Sequence, residues 1–153
     1  MVALCWHGLP KHLLDRLQSV QNAAARLVFA ARRNDHITPL LHSLHWLRVA
    51  ERVTFRLAVL TYWCLHGSAP VYLTSLLQCV SDVHTRQRFC SASSSDRMVP
   101  LTIRSTIGDR SFQSTAASTW NALPRSVRSS TSVLQFRSRL KTELFARSYQ
   151  QSY

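Results

Sequence analysis

Residues 49–66, VAERVTFRLAVLTYWCLH, decide the fold class of this chain. Its apolar side chains recur at intervals of three or four residues, which is the spacing of one helical face: Val49, Val53, Leu57, Leu60 and Cys64. The later half is apolar nearly all round, and Gly67 follows it as a natural end to a helix. We therefore expect a helix here whose later half is the most buried part of the molecule.

Two helices are predicted before this segment and a brief one after it. An apolar stripe with helical spacing begins after Pro10, which suits a first helical turn: Leu13, Leu17, Val20, Ala24, Leu27 and Ala31. Thr38 and Pro39 form an N-cap followed by a proline at the first helical position, which predicts a short helix to about Trp46. Pro70 then restarts the chain into a brief helix.

The periodicity is lost in residues 81–97, where serines and arginines gather as in a solvated linker. This segment is the best candidate boundary between an N-terminal helical lobe, residues 9–80, and a C-terminal lobe, residues 98–150. The chain has the length of one domain, so one domain or two loosely joined lobes are both compatible with it.

The C-terminal lobe begins with alternating residues near 98–106, which predict at most a small β element, confined to a sheet edge by Pro100. Asp109 can cap a helix that Pro124 ends, and Ser132 with Gln135 forms a capping box for a last helix. That last helix carries its own apolar stripe: Val133, Phe136, Leu140 and Leu144. The fold class is mainly α, with five to six helices.

The charge balance points to a polyanionic partner. The formal net charge is +12, and 17 of the 19 basic residues are arginine, whose planar fork suits phosphate contacts. The alternative is a solvated basic face without a function, because a run of charged residues usually forms only a solvated surface. We predict contacts to an RNA or DNA backbone from ten residues: Arg32, Arg33, Arg86, Arg88, Arg97, Arg125, Arg128, Arg137, Arg139 and Lys141.

Catalytic patterns are absent from the sequence. A two-metal polymerase or nuclease needs several converging carboxylates, whereas the seven acidic residues are scattered singly. Cys79, His84 and Cys90 do not match a zinc-binding pattern. Zinc sites usually begin with two closely spaced ligands and need four in all, whereas these three residues are loosely spaced. We therefore predict no catalytic residues, no metal and no cofactor.

The compartment is predicted from the cysteines and the hydropathy pattern. Four cysteines without a CxxC pair or a signal-peptide pattern favour a reducing cytoplasmic or nuclear environment, not secretion. The uncharged segment 57–81 contains Gly67 and Pro70 near its middle, so it predicts two short helices rather than a membrane span.

Three segments carry a resemblance to a known family: residues 14–28 (LDRLQSVQNAAARLV), residues 35–73 (DHITPLLHSLHWLRVAERVTFRLAVLTYWCLHGSAPVYL) and residues 108–145 (GDRSFQSTAASTWNALPRSVRSSTSVLQFRSRLKTELF). Together they resemble the region downstream of the reverse-transcriptase domain in LINE-class, jockey-like (non-LTR) retrotransposon polyproteins. The Trp120-Asn121-x-Leu123-Pro124 element, followed by a helix at Phe136, is the most specific part of this likeness.

The resemblance implies a non-catalytic C-terminal remnant of an RNA-directed DNA polymerase, whose parent protein also holds an endonuclease. Such a tail is expected to grip template RNA or the primed duplex beside the rest of the polymerase. A protein-interaction module and a non-functional fossil remain alternatives. Cys79, His84 and Cys90 depart from the Cys/His knuckles of some branches, and we expect the shared bulky residues to be core rather than contact: Trp46, Trp120, Leu123 and Phe136.

Overall fold

The computed structural model describes residues 10–75, 77 and 111–150, and those residues form helices joined by loops. The mainly α fold predicted from the sequence is confirmed. The small β element near 98–106, the linker at 81–97 and the Asp109 cap lie outside the described residues. The described part contains seven helices rather than the five to six predicted, because the segment after Pro124 forms a single helical turn: α1 (Lys11–Val28), α2 (Ile37–Ser43), α3 (Val49–Leu65), α4 (Val71–Thr74), α5 (Phe112–Asn121), α6 (Arg125–Arg128) and α7 (Val133–Gln150).

Helix α3 lies at the centre of the described structure, in contact with α1, α4, α5 and α7. Most positions of its later half are buried, although Trp63 is exposed and α5 is buried to a similar extent, so the expectation of one most buried segment holds only in part. The buried residues of α3 are Val49, Val53, Leu57, Ala58, Val59, Thr61, Tyr62 and Cys64. Beyond Leu65 the chain turns at Gly67, whose positive φ of 68° is a conformation that glycine adopts without strain.

The main core lies between α3, α5 and α7 around the fully buried ring of Phe136. Phe136 stacks on Tyr62 with 4.5 Å between ring centroids and on Trp120 with 5.9 Å. The hydroxyl of Tyr62 donates a hydrogen bond of 3.1 Å to the backbone carbonyl of Ser130. Trp120, Leu123 and Phe136 are therefore core residues, as predicted.

A second, smaller cluster joins α1 and α2 to the end of α7 through the buried side chains of Ala25, Leu41 and Tyr149. Trp46 packs against this cluster and is half-buried. The hydroxyl of Tyr149 donates a hydrogen bond to the Trp46 carbonyl. Residues from 9–80 and 98–150 thus meet in both clusters, while the division of the chain into lobes stays a prediction.

Helix α1 differs from its predicted orientation. Val20 and Leu27, both on the predicted apolar stripe, are 69% and 82% exposed, whereas Gln21 and Ala25 are buried. The amide nitrogen of Gln21 donates to the Leu47 carbonyl at 2.8 Å, and Gln18 Oε1 accepts from the backbone N–H of Val49 at 2.9 Å. Glutamine hydrogen bonds to the start of α3 therefore turn part of the apolar stripe toward solvent.

Helix starts agree with the sequence patterns only in part. Half of the predicted capping box forms on the last helix: Ser132 Oγ accepts from the backbone N–H of Gln135 at 3.2 Å, whereas Gln135 Oε1 accepts from the backbone N–H of Thr131 instead of Ser132. Helix α5 is capped by Ser111, whose hydroxyl accepts from Ser114 N–H, a residue that the sequence pattern did not single out. Helix α2 begins at Ile37, one residue before the predicted Thr38 cap, and ends at Ser43.

Candidate nucleic-acid interface

One face of α3 carries arginine and aromatic side chains together. Arg52, Phe55, Arg56 and Trp63 recur at intervals of three, four or seven residues, which places them on neighbouring turns of one face. Both arginines and Trp63 are exposed, while Phe55 is half-buried and packs against the main core. This face therefore presents two guanidinium groups and one indole ring to solvent.

Helix α7 contributes a third arginine to the same place. Arg137 borders a hollow of about 530 Å³ whose lining includes Arg52, Arg56 and Trp63, with Leu47, Val59 and Leu60 beneath them. We call this the α3–α7 hollow. No acidic side chain lines it, and among the described residues no carboxylate forms an ion pair with any of its three arginines. Its potential is therefore positive and suits an anion.

Arg52 is held in position by an aromatic ring. Its guanidinium carbon lies 5.6 Å from the centroid of the Trp46 ring, within the range of a cation–π interaction. Such a contact orients the guanidinium without neutralising its charge. Arg52 therefore remains able to donate hydrogen bonds to a phosphate.

The predicted basic residues of the last helix do not share one face. Successive helical residues are rotated by about 100°, so Arg137 and Arg139 point about 160° apart, whereas Lys141 lies one turn beyond Arg137 on nearly the same side. Arg139 donates to the Ser126 carbonyl at 2.7 Å, toward α6. Arg137 and Lys141 are both exposed on the other side.

The remaining predicted contacts lie in other places. Arg32 and Arg33 are exposed in the turn after α1, where the backbone N–H of Arg32 donates to Asp35 at 2.6 Å. Arg125 is exposed and Arg128 is half-buried on the one-turn helix α6. Arg86, Arg88 and Arg97 lie outside the described residues. The described members of the predicted set are thus spread over three places, and only Arg137 borders the α3–α7 hollow.

Sequence reasoning missed Arg52, Arg56 and Trp63. The apolar stripe of α3 predicts the buried side of the helix and says nothing of its exposed side, where these three residues lie. A signal was present, because Arg48, Arg52 and Arg56 recur every fourth residue. The approach of Arg137 had no comparable signal, since it depends on how α3 packs against α7.

A second hollow, of about 380 Å³, lies between α1 and α3. Its walls are largely apolar and include Leu17, Val20, Ala24 and Val53, while Arg52 and Arg56 also border it. We call this the α1–α3 hollow. The exposed side chain of Val20 belongs to it, so the part of α1 that is turned toward solvent leads into this hollow.

Two groups in the described part, Cys64 and Tyr149, have a pKa raised by burial. Burial raises the pKa of the Cys64 thiol, which makes it a poor nucleophile at neutral pH. Burial also raises the pKa of Tyr149, against the opposing charges of Arg48 and Arg52. Neither group lines the α3–α7 hollow.

The described residues contain neither a metal-ligand cluster nor a membrane-spanning helix. Within residues 10–75, 77 and 111–150, no three His, Cys, Asp or Glu side chains come close enough to share a metal ion. None of the helices described is both long and apolar enough to cross a bilayer. The loose cluster of Cys79, His84 and Cys90 lies outside the described residues.

Comparison of the chain with protein-family models, with curated proteins and with solved structures found no match.

Proposed function

We propose that this chain is a non-catalytic C-terminal remnant of a LINE-class retrotransposon reverse transcriptase that binds the sugar-phosphate backbone of RNA or DNA. The observation that carries the binding proposal is the convergence of Arg52, Arg56 and Arg137, from two helices, on one hollow without an acidic lining residue. The net charge of +12 and the arginine excess support it. The parentage rests on the resemblance of residues 14–28, 35–73 and 108–145.

Phosphate contacts predict a measurable salt dependence. Each phosphate neutralised on a single strand contributes about −0.7 to the slope of log affinity against log salt. With about five such contacts the slope is expected to be about −3 to −4. Sequence preference is expected to be slight, because backbone contacts carry no base information.

A filter-binding titration over a range of salt concentrations tests the proposal. Replacing Arg52, Arg56 and Arg137 with Gln should weaken binding and flatten the slope by about two units. The matched control replaces Lys11, Arg16 and Arg147 with Gln; these residues are exposed, do not line the hollow and are not among the predicted contacts, and the loss of charge is equal. Its slope should change by less than one unit. Equal effects of the two variants would show that binding is spread over the whole surface, and no binding by the wild type would refute the function.

The proposal includes the absence of polymerase and nuclease turnover. Both reactions need carboxylates that hold two metal ions close together, and the acidic residues are scattered singly along the sequence. The expected result is no template-directed nucleotide incorporation and no strand cleavage by the pure chain with Mg²⁺ or Mn²⁺. Incorporation that disappears when one acidic residue is replaced would contradict this.

A protein-interaction module is the second candidate, and the exposed apolar side chains of α1 favour it. Val20 and Leu27 are more than two-thirds exposed, and Val20 borders the largely apolar α1–α3 hollow. The partner to test is the remainder of the retrotransposon polymerase, expressed separately. Replacing Val20 and Leu27 with Glu should abolish a complex made through α1 and leave RNA binding unchanged. A chain that binds neither RNA nor the polymerase would be a non-functional fossil.

The compartment follows from the same proposal. A module that meets RNA and a polymerase works in the cytoplasm or nucleus, where thiols stay reduced. The free, buried thiol of Cys64 is compatible with a reducing compartment.

A further inference from the structure

We propose that the α3–α7 hollow is a single-strand site, in which Trp63 stacks on a nucleobase while Arg56 and Arg137 bind the adjoining phosphates. This inference rests on the proposed function and names the form of nucleic acid that the site takes. A duplex, whose bases are already stacked on one another, would meet only the arginines.

The indole of Trp63 is the first observation. It is 39% exposed, whereas Trp120 is only 4% exposed and packs in the core. Tryptophan is the largest apolar side chain, and the part of Trp63 that stays in water is apolar surface whose burial would be favourable. An exposed tryptophan at the edge of a hollow is therefore a surface that a flat partner can cover.

The position of the arginines is the second observation. Arg56 precedes Trp63 by seven residues, so two turns of α3 place the guanidinium and the indole on the same face about 10 Å apart along the helix axis. Arg137 approaches the same hollow from α7. A groove that combines positive charge with an aromatic side chain is the arrangement by which proteins hold single strands, with phosphates on the charges and a base on the ring.

The floor of the hollow is the third observation. Leu47 and Val59 are buried beneath it and Leu60 is half-buried, so the surface that faces a bound base is apolar. A volume of about 530 Å³ lies within the range of small-ligand pockets, roughly 300–1,000 Å³, which is enough for a base with its sugar. A polyanion without bases would leave this apolar floor uncovered.

The experiment compares three labelled ligands of equal length on the full chain: a uridine homopolymer, an abasic strand with the same number of phosphates, and an RNA duplex. Fluorescence anisotropy at moderate salt gives the three affinities. We expect the uridine strand to bind more tightly than the abasic strand. Stacking of one base contributes about 1–3 kcal/mol, so the ratio should be about 5- to 100-fold.

Substitutions then assign the difference to Trp63. Trp63→Leu should reduce the affinity for the uridine strand toward that for the abasic strand, whose own affinity should stay unchanged. Trp63→Phe keeps a ring that can stack and should retain most of the preference. Because part of the Trp63 side chain is covered, Trp63→Leu is expected to lower the melting temperature somewhat, and circular dichroism should show the wild-type helical signal at the temperature of the binding measurement, which separates a lost contact from a lost fold.

The outcomes distinguish this inference from the function on which it rests. Equal binding of the uridine and abasic strands by the wild type overturns the stacking site and leaves phosphate binding intact. Equal losses for both strands in Trp63→Leu also overturn the stacking site. Failure of all three ligands to bind overturns the proposed function together with this inference.

Discussion

Tyr149 and Trp46 are joined by a hydrogen bond from the phenol hydroxyl of one to the backbone carbonyl of the other, 103 positions apart. The bond fastens the end of α7 to the loop between α2 and α3. Trp46 also holds the guanidinium of Arg52 over its ring at 5.6 Å. The C-terminal helix therefore supports the loop against which one arginine of the candidate interface rests.

Tyr149→Phe should lower stability at neutral pH by about 1 kcal/mol, because the Trp46 carbonyl loses its donor. Burial raises the pKa of Tyr149 above its ordinary value of 10.0, so the folded chain holds this proton more tightly than the unfolded chain does. The stabilisation is thus complete below about pH 10 and is lost as pH rises through the folded pKa. Urea unfolding from pH 7 to 11 should show the gap between variant and wild type shrinking above pH 10. The exposed Tyr72→Phe is the control, and a gap that widens with pH would contradict the assignment.

Phe136→Ala should destabilise the fold by about 3–5 kcal/mol, since the fully buried ring contacts Tyr62 and Trp120 and its removal leaves a cavity. Leu134→Ala, on the same helix but 75% exposed, should change stability by less than about 0.5 kcal/mol. Chemical denaturation of both variants measures the difference. Similar costs at the two positions would mean that α7 presents a different face to the core.

Ser132→Ala should cost about 1 kcal/mol, because the backbone N–H of Gln135 would lose its cap. Ser132→Asp should keep most of the wild-type stability, as a carboxylate also accepts at a helix start. Ser138→Ala, at an exposed position inside α7, should be neutral or slightly stabilising because alanine favours helix. Thermal melts rank the three variants, and a Ser138→Ala loss as large as that of Ser132→Ala would exclude a specific capping effect.

The thiol of Cys64 should react slowly with an alkylating reagent in the folded chain. It is 6% exposed, and burial raises its pKa, so little thiolate is present at neutral pH and little of it is accessible. A variant with Cys5, Cys79 and Cys90 replaced by Ser isolates this thiol. Its labelling should accelerate strongly in denaturant, and a native rate equal to that of a free thiol in solution would show that α3 is not packed as described.

The sequence predicted the helices most reliably where a stripe faces one continuous core. Phe136, Leu140 and Leu144 were expected inside and are buried, because α7 packs that face against α3 and α5. Helix α1 shows the limit of the same reasoning. Its stripe has helical spacing, yet Val20 and Leu27 face solvent, because Gln21 donates a hydrogen bond to Leu47 and Gln18 accepts one from Val49, and these bonds set how α1 meets α3.

The sequence predicts that the candidate interface binds a polyanion, but it does not predict which residues form that interface. The excess of arginine predicts a polyanionic partner, and Arg137 is one of the ten contacts predicted from the sequence. Arg52 and Arg56 lie beside Arg137 because α3 packs against α7, and these two helices are about seventy residues apart in the chain. A local sequence pattern does not predict such a contact. Arg139 differs, because the helical period alone places it about 160° around α7 from Arg137, on the side where it donates to the Ser126 carbonyl.

The central place of α3 has a consequence for synthesis on the ribosome. Its apolar side chains are translated before α5 and α7, which cover them and end about 85 residues later. At roughly 5–20 residues per second, the side of α3 that faces α5 and α7 stays uncovered for about 4 to 17 seconds while the rest of the chain emerges. A nascent chain interrupted before α5 would keep that surface exposed and would be prone to aggregation and to capture by chaperones.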